Sequence, residues 1–271
     1  VNLQRAFAIM RKDIKEAFGN SQIIYALSIV PIIFSVIMPA AFVLGVRFGG
    51  TSSINNLDKM FKNMPENIMQ QMAGFNEIQQ VVYLISVYMF SALFLIIPVM
   101  VSMIIAADSF AGEKERKTLE GVLYTPVTDS ELIFGKIIAS FVPSMIVSWA
   151  CFALYAVILN VLGMPVFHRI YFPTLNWWVL MLLVVPTISF LSIGVMVLVS
   201  ARVRGYQEAN SMGGMVVLPI IALVAGQASG LMYLSTIIML LVGLFLLFID
   251  ALLFYTISNT FHRDRLVAYI K

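Results

Sequence analysis

Residues 80–107 read QVVYLISVYMFSALFLIIPVMVSMIIAA, without one charged side chain. Wound as an α-helix at 1.5 Å per residue, the stretch is about 42 Å long. A bilayer core of about 30 Å needs roughly 20 apolar helical residues, so it is long enough to cross a membrane. The next residues, 108–136, read DSFAGEKERKTLEGVLYTPVTDSELIFGK, the most charge-dense part of the chain. At Ile137 the sequence turns uncharged again, as far as Leu162. The pattern predicts two membrane helices joined by a charged turn.

The same reading extends in both directions. Uncharged or nearly uncharged stretches of similar length occur at 22–46, 176–200, 211–228 and 232–257. With 80–107 and 137–162 they make six spans. The fifth is short, and only the Gly226–Gly230 region separates it from the sixth. One span plus a re-entrant pair is the alternative there. The chain is 61% hydrophobic and 11% charged, whereas soluble domains carry about 25% charged residues. The fold class expected is all-α, a polytopic membrane protein of one domain, 1–271. The first twenty residues are too polar for the core of a cleavable signal.

Charge placement predicts direction. If the N-terminus is cytoplasmic, the cytoplasmic segments hold all 17 Lys and Arg except Arg47, Lys59, Lys62 and Arg169. Loops rich in Lys and Arg resist translocation, so both termini are expected in the cytoplasm and the protein in the cell membrane. The outer loop is then 47–79. Tyr171, Phe172, Trp177 and Trp178 fall where the fourth span enters from outside, the depth of an aromatic belt. Pro31, Pro39, Pro98, Pro143, Pro186 and Pro219 lie inside spans, where each removes a backbone donor and can kink its helix.

Two elements are expected on the cytoplasmic side. Over 1–20, Leu3, Phe7, Met10, Ile14 and Phe18 recur at helical spacing among basic residues, and Gly19-Asn20 supplies a stop. Such an amphipathic helix lies flat on a membrane surface. In 108–136, Glu113–Lys117 and Arg116–Glu120 are i, i+4 pairs on one helix face. Leu119, Val122 and Leu123 make an apolar patch, which Thr125-Pro126 ends. Thr128-Asp129-Ser130-Glu131 fits a capping box that starts the next helix. A short helix carrying an apolar knob ringed by charge is suited to a groove on another protein.

The run from Gly112 through Thr118-Leu119-Glu120 to Thr125-Pro126, followed by Glu131-Leu132-Ile133-Phe134-Gly135-Lys136, resembles the loop of ABC-2-type transporter permeases, which reads roughly "E…GTLE-LL-TP…E-LLGK". Lys117 stands where that pattern has glycine. The specific match covers about 25 residues, and the six-span plan is similar over the whole chain. The resemblance implies a permease half that pairs with a second copy, or a close relative, and docks on a separate ATPase subunit through a coupling helix. The residues that would carry this role are Glu113, Glu115, Arg116, Thr118, Leu119, Glu120, Leu123 and Pro126. The N-terminal helix would be the family's interfacial connecting helix. An outer gate between the fifth and sixth spans would fall near Gln227 to Tyr233.

No G-x-x-x-x-G-K-[ST] occurs, so the chain has no P-loop for ATP phosphates. Ser130 stands where the motif ending at Gly135-Lys136 would need its first glycine. No cofactor is expected on this chain, which is not expected to be an enzyme; ATP-Mg belongs to the partner. His168 and His262 fall on opposite sides, and no G-x-S-x-G occurs. Met60, Met64, Met69 and Met72 in the outer loop could suit Cu(I), but Leu57, Met60, Phe61, Met64, Ile68 and Met72 read as an apolar stripe. Cys151 reads as a buried, inert thiol. Asp250 is the one acid well inside a span, where it could pair with Arg202 or Arg204 or serve a pathway together with Gln227 and Pro219. Lipid is an expected partner and nucleic acid is not. The reading is an ATP-driven exporter of an amphipathic or hydrophobic substrate. An ion-coupled carrier or channel would show inverted repeats and buried ion ligands, and a membrane scaffold would carry no transport.

Overall fold

The computed structural model describes residues 2–50, 64–116, 127–203, 205–229 and 233–260. All of its elements are helical. The surface helix α1 spans Leu3–Gly19. Span 1 is α2, Ser21–Gly49. A short helix α3, Glu66–Gln71, follows. Span 2 is α4, Glu77–Glu115, and span 3 is α5, Asp129–Phe167. Spans 4, 5 and 6 are α6, Leu175–Ser200; α7, Tyr206–Ala228; and α8, Thr236–Thr260. The six expected helices are present, each long and apolar enough to cross a membrane, and α7 and α8 are separate helices.

Helix α4 is the centre of the bundle. It packs against α2, α5, α6 and α7, while α8 leans on α6. Of its most apolar window 78% is buried, against 17% for α7 and 22% for α8. At roughly 58 Å, α4 exceeds the bilayer core by several turns, and its surplus carries the charges from Asp108 onward. That end of the molecule, where α1 also lies, is here the charged end; the opposite one is the far end.

The spans are not regular α-helices, and proline is one reason. Its ring clashes with the carbonyl of residue i−4, so the preceding turn can widen, tighten or break, although Pro31, Pro143 and Pro165 sit within continuous α-helix. Before Pro39 the turn Ile33–Ile37 is π-helical, and before Pro186 so is Leu180–Val184. Before Pro219 the turn Gly214–Val217 is a 3-10 helix. Before Pro98 the helix is interrupted at Leu95. Two further π turns in α4, Leu84–Met89 and Asp108–Gly112, have no proline behind them. They mark the two ends of the bundle where polar groups collect.

At the far end the aromatic residues do not all form a belt. Trp177 and Phe172 are 0% and 1% exposed, packed with Phe94, Phe152 and Tyr155. Only Trp178 keeps the expected exposed position. Trp177 is drawn inward because α4 offers its indole N–H an acceptor, the Val87 carbonyl at 2.9 Å. Between spans 1 and 2, Met64, Ile68 and Met72 are buried in the core while Met69 is exposed, so the buried methionines act as filler. Leu57, Met60 and Phe61 lie outside the described residues. Cys151 is buried.

Candidate functional site

The site grows from how α1 meets the bundle. Asn2 caps α1, accepting the Gln4 N–H at 3.1 Å, and Asn20 ends it with its backbone N–H on the Ala17 carbonyl. The stripe Phe7, Met10, Ile14 and Phe18 is not the face that packs on protein. Phe7 and Phe18 are 53% and 47% exposed, and Met10 and Ile14 are half-buried. The buried face is Ala6, Asp13 and Ala17, small residues that let α1 lie close against α5. Contact is closest at Gly135, where a Cβ would stand 2.8 Å from the Ala6 carbonyl oxygen. Glycine is therefore required there by space.

That approach buries Lys136, which is 2% exposed. A buried ammonium is tolerated only when paired and hydrogen-bonded. Lys136 Nζ donates to Glu113 Oε2 at 2.6 Å and Asp13 Oδ2 at 3.3 Å. It also donates to the Ser109 carbonyl at 2.5 Å and Ser109 Oγ at 3.2 Å. Ser109 in turn donates to Asp13 Oδ2. Lys12 closes the cluster from the surface by bonding Glu113 Oε1 and lying 3.6–3.7 Å from Glu16 and Asp13. Burial by itself would lower the Lys12 ammonium; its hydrogen bond to Glu113 and the charges of Glu113, Asp13 and Glu16 outweigh this and raise it. Asp13, Glu16 and Glu113 come within 4.8 Å of one another, and Lys12 and Lys136 already balance two of their three charges. Three helices, α1, α4 and α5, thus meet in one ionic knot.

Two further contacts extend the knot. The π turn Asp108–Gly112 inserts one residue into α4, so Arg116 stands two turns above Asp108 and pairs with it at 2.8 Å. Arg116 was expected to face Glu120; Lys117 and Glu120 lie outside the described residues. The capping box is formed as expected: Thr128 Oγ1 accepts the Glu131 N–H and Glu131 Oε2 accepts the Thr128 N–H. Glu131 Oε1 also accepts the Asn2 N–H at 2.7 Å, which ties the start of α1 to the start of α5.

The end of α4 also grips α7. Lys114 donates to the Val203 carbonyl at 2.9 Å, and Glu115 Oε2 accepts the Tyr206 N–H at 2.8 Å. A carboxylate at a helix N-terminus satisfies an orphan donor and the helix dipole together. Gly205 makes room: a Cβ there would be 2.5 Å from Glu115 Oε2.

Of the residues expected to touch a partner, Glu113 is 1% exposed and Glu115 is turned to α7. They bind α1, α5 and α7 instead. Arg116 is exposed beside Asp108. Thr118, Leu119, Glu120, Leu123 and Pro126 lie outside the described residues. Asp13, Lys12, Ser109 and Asp108 carry the knot and were not singled out in the sequence. Asp13 was legible in part, as the polar member of the small-residue stripe Ala6, Asp13, Ala17. At the far end, Gln227 is fully buried and donates to the Tyr88 carbonyl at 3.0 Å. Pro219 is exposed on α7. Asp250 is half-buried on α8; among the described residues Oδ1 has no hydrogen-bond partner and no ion pair to Arg202 forms. The alternative partner, Arg204, lies outside the described residues.

Against known families, the profile described as ABC-2 family transporter protein matches residues 7–257. Among curated proteins none matches the chain.

Proposed function

The chain belongs to the ABC-2 family of transporter proteins, and we propose that it is the permease half of an exporter driven by a separate ATPase docked at its charged, cytoplasmic end. Membership makes it a transmembrane permease subunit of an ABC transporter. The further reading rests on one observation: a single ionic knot joins the surface helix, the end of span 2 and the start of span 3, and the same segment grips the start of span 5. A push on residues 117–126 is thereby delivered to four helices at once.

Beyond the knot, the residues to meet the ATPase are Leu119 and Leu123 as the apolar knob, with Thr118, Glu120 and Pro126 around it and Arg116, exposed at the edge of the knot, beside it. ATP binding draws two ATPases together, each carries its coupling segment with it, and the kinked spans pass the pathway from one side to the other. A chain of six spans has too few helices to enclose a wide path, so two copies, or one copy and a close relative, form the transporter. The spans are almost wholly apolar, which fits an amphipathic or hydrophobic substrate.

The test is to purify the tagged chain from gently solubilised native membranes and identify what accompanies it. A P-loop ATPase is expected. Leu119→Asp with Leu123→Asp should release it, whereas Glu113→Gln, behind the contact, should retain it and lower ATP-dependent transport. A wild-type chain that comes down with no nucleotide-binding partner refutes the reading.

A further inference from the structure

Lying on a membrane surface does not by itself select a lipid; the way α1 divides its circumference does. At 3.6 residues per turn, Ala6, Asp13 and Ala17 form the face buried against the bundle. About a quarter turn away come Leu3, Phe7, Ile14 and Phe18, of which Leu3, Phe7 and Phe18 are exposed. Roughly a fifth of a turn further stand Arg11 and Lys15, both exposed.

These two cations differ from the others at the charged end. Lys12 and Lys136 are paired with Glu113, Arg116 with Asp108, and Lys114 holds the Val203 carbonyl. Among the described residues Arg11 and Lys15 have no ion pair. They are four positions apart, and like charges at that spacing destabilise a helix unless something answers them. With Gln4 and Phe7 they border an open groove along α1. Glu16 borders the same groove and lies 3.6 Å from Lys12.

Whatever covers this face meets apolar rings and cations side by side. An acidic protein surface would match the cations and leave the rings without an apolar partner. A leaflet containing anionic lipid takes both, with the rings at the acyl boundary and the cations at the headgroup phosphates. Position agrees with this, because α1 ends at Gly19 and span 1 begins at Ser21.

We propose that α1 is a binding site for anionic phospholipid, with the headgroup phosphate held by Arg11 and Lys15, and that its occupancy regulates the transporter. Arg11 and Lys15 flank Lys12 and Asp13, the two residues that α1 gives to Glu113 and Lys136. A phosphate on the open face therefore seats the buried face on the knot and steadies the end of span 2. The regulation rests on the ATP-driven reading; the lipid site does not.

The full chain is reconstituted in nanodiscs of equal phosphatidylglycerol and phosphatidylcholine with the same acyl chains. Cys151→Ser removes the native thiol, and Ala8→Cys, at an exposed position on the same groove, carries a benzophenone maleimide. After illumination the lipid adducts are counted by mass spectrometry. Phosphatidylglycerol should dominate. A cation near an anionic surface is worth about a fivefold preference, so Lys15→Gln should lower the adduct ratio about fivefold and Arg11→Gln with Lys15→Gln further still. If the double variant fails to accumulate, the single one decides. A ratio within about twofold of the parent chain, or cross-linking to the ATPase in place of lipid, overturns the site. With the co-purified ATPase, ATP hydrolysis should rise as phosphatidylglycerol replaces phosphatidylcholine, and the double variant should lose that rise. Selective adducts with hydrolysis indifferent to lipid overturn the regulation alone. Selective adducts on a chain that no ATPase accompanies support the lipid site and refute the ATP-driven reading.

Discussion

Lys136→Met puts the ionic knot to its hardest test. The substitution keeps most of the side-chain volume and removes only the ammonium. Its four bonds go to Glu113, Asp13 and Ser109. What remains is a pair of carboxylates, 1% and 3% exposed, sharing the one half-exposed ammonium of Lys12. Removing one partner of a buried pair costs about 3–5 kcal/mol, chiefly because the other charge is left uncompensated. For a chain of this size that corresponds to a fall of roughly 10 °C in melting temperature. The assay is unfolding in detergent followed by a thiol-reactive fluorophore, which Cys151 suits because it is the only cysteine and is buried. The double variant Glu113→Leu/Lys136→Met should recover about 2 kcal/mol of the loss, since replacing both charges by apolar groups leaves less unmatched. A single variant melting within about 2 °C of wild type, or a double variant whose loss equals the sum of the singles, would show that the knot holds nothing.

Two further outcomes follow from groups with opposite surroundings. Lys12 is raised above the ordinary lysine value of 10.5, so its pairing contributes in full below that value and is lost as pH climbs through the higher folded one. The difference in melting temperature between wild type and Lys12→Met should therefore stay level from about pH 6 to about pH 9 and shrink only above about pH 10.5; a difference that collapses on acidification would be the wrong sign. Among the described residues Asp250 Oδ1 has no hydrogen-bond partner, so Asp250→Asn breaks no described pair. It should melt at or above the wild-type temperature and transport within a few-fold of wild type. Loss of transport with normal expression would place Asp250 on the pathway.

The spans were legible because their signal is large. A run such as 80–107 has no soluble alternative, and the structure extends most of the expected helices by only a few residues. Span 5 starts at Tyr206 rather than 211, because Glu115 accepts the Tyr206 N–H there and anchors the helix earlier. The capping box at Thr128 was readable because both of its bonds are local. The knot was not. Asp13 and Lys136 are 123 positions apart, and nothing in either neighbourhood announces the other. The i, i+4 pattern around Glu113 pointed to neighbours in sequence, whereas its partners across the knot, Lys12 and Lys136, come from α1 and α5. Trp177 was misplaced for the same reason: its acceptor is a carbonyl freed by a π turn, a feature that composition does not encode.

Those π turns make the length of span 2 a counted quantity. Each is a surplus residue in an otherwise α-helical thread. Between Tyr88, which takes the bond from Gln227, and Glu113, which takes the one from Lys136, the count must come out right for both ends to face their partners. Deleting one residue from the regular α turns between Ile96 and Ala107 would turn everything beyond it by about 100°. The hydrophobicity of the span would hardly change, and membrane insertion would proceed as before. Glu113 would then point away from Lys136, and the two ends could no longer be satisfied together. For this protein a one-residue gap in the middle of a greasy helix is a graver lesion than many substitutions, and hydropathy would give no sign of it.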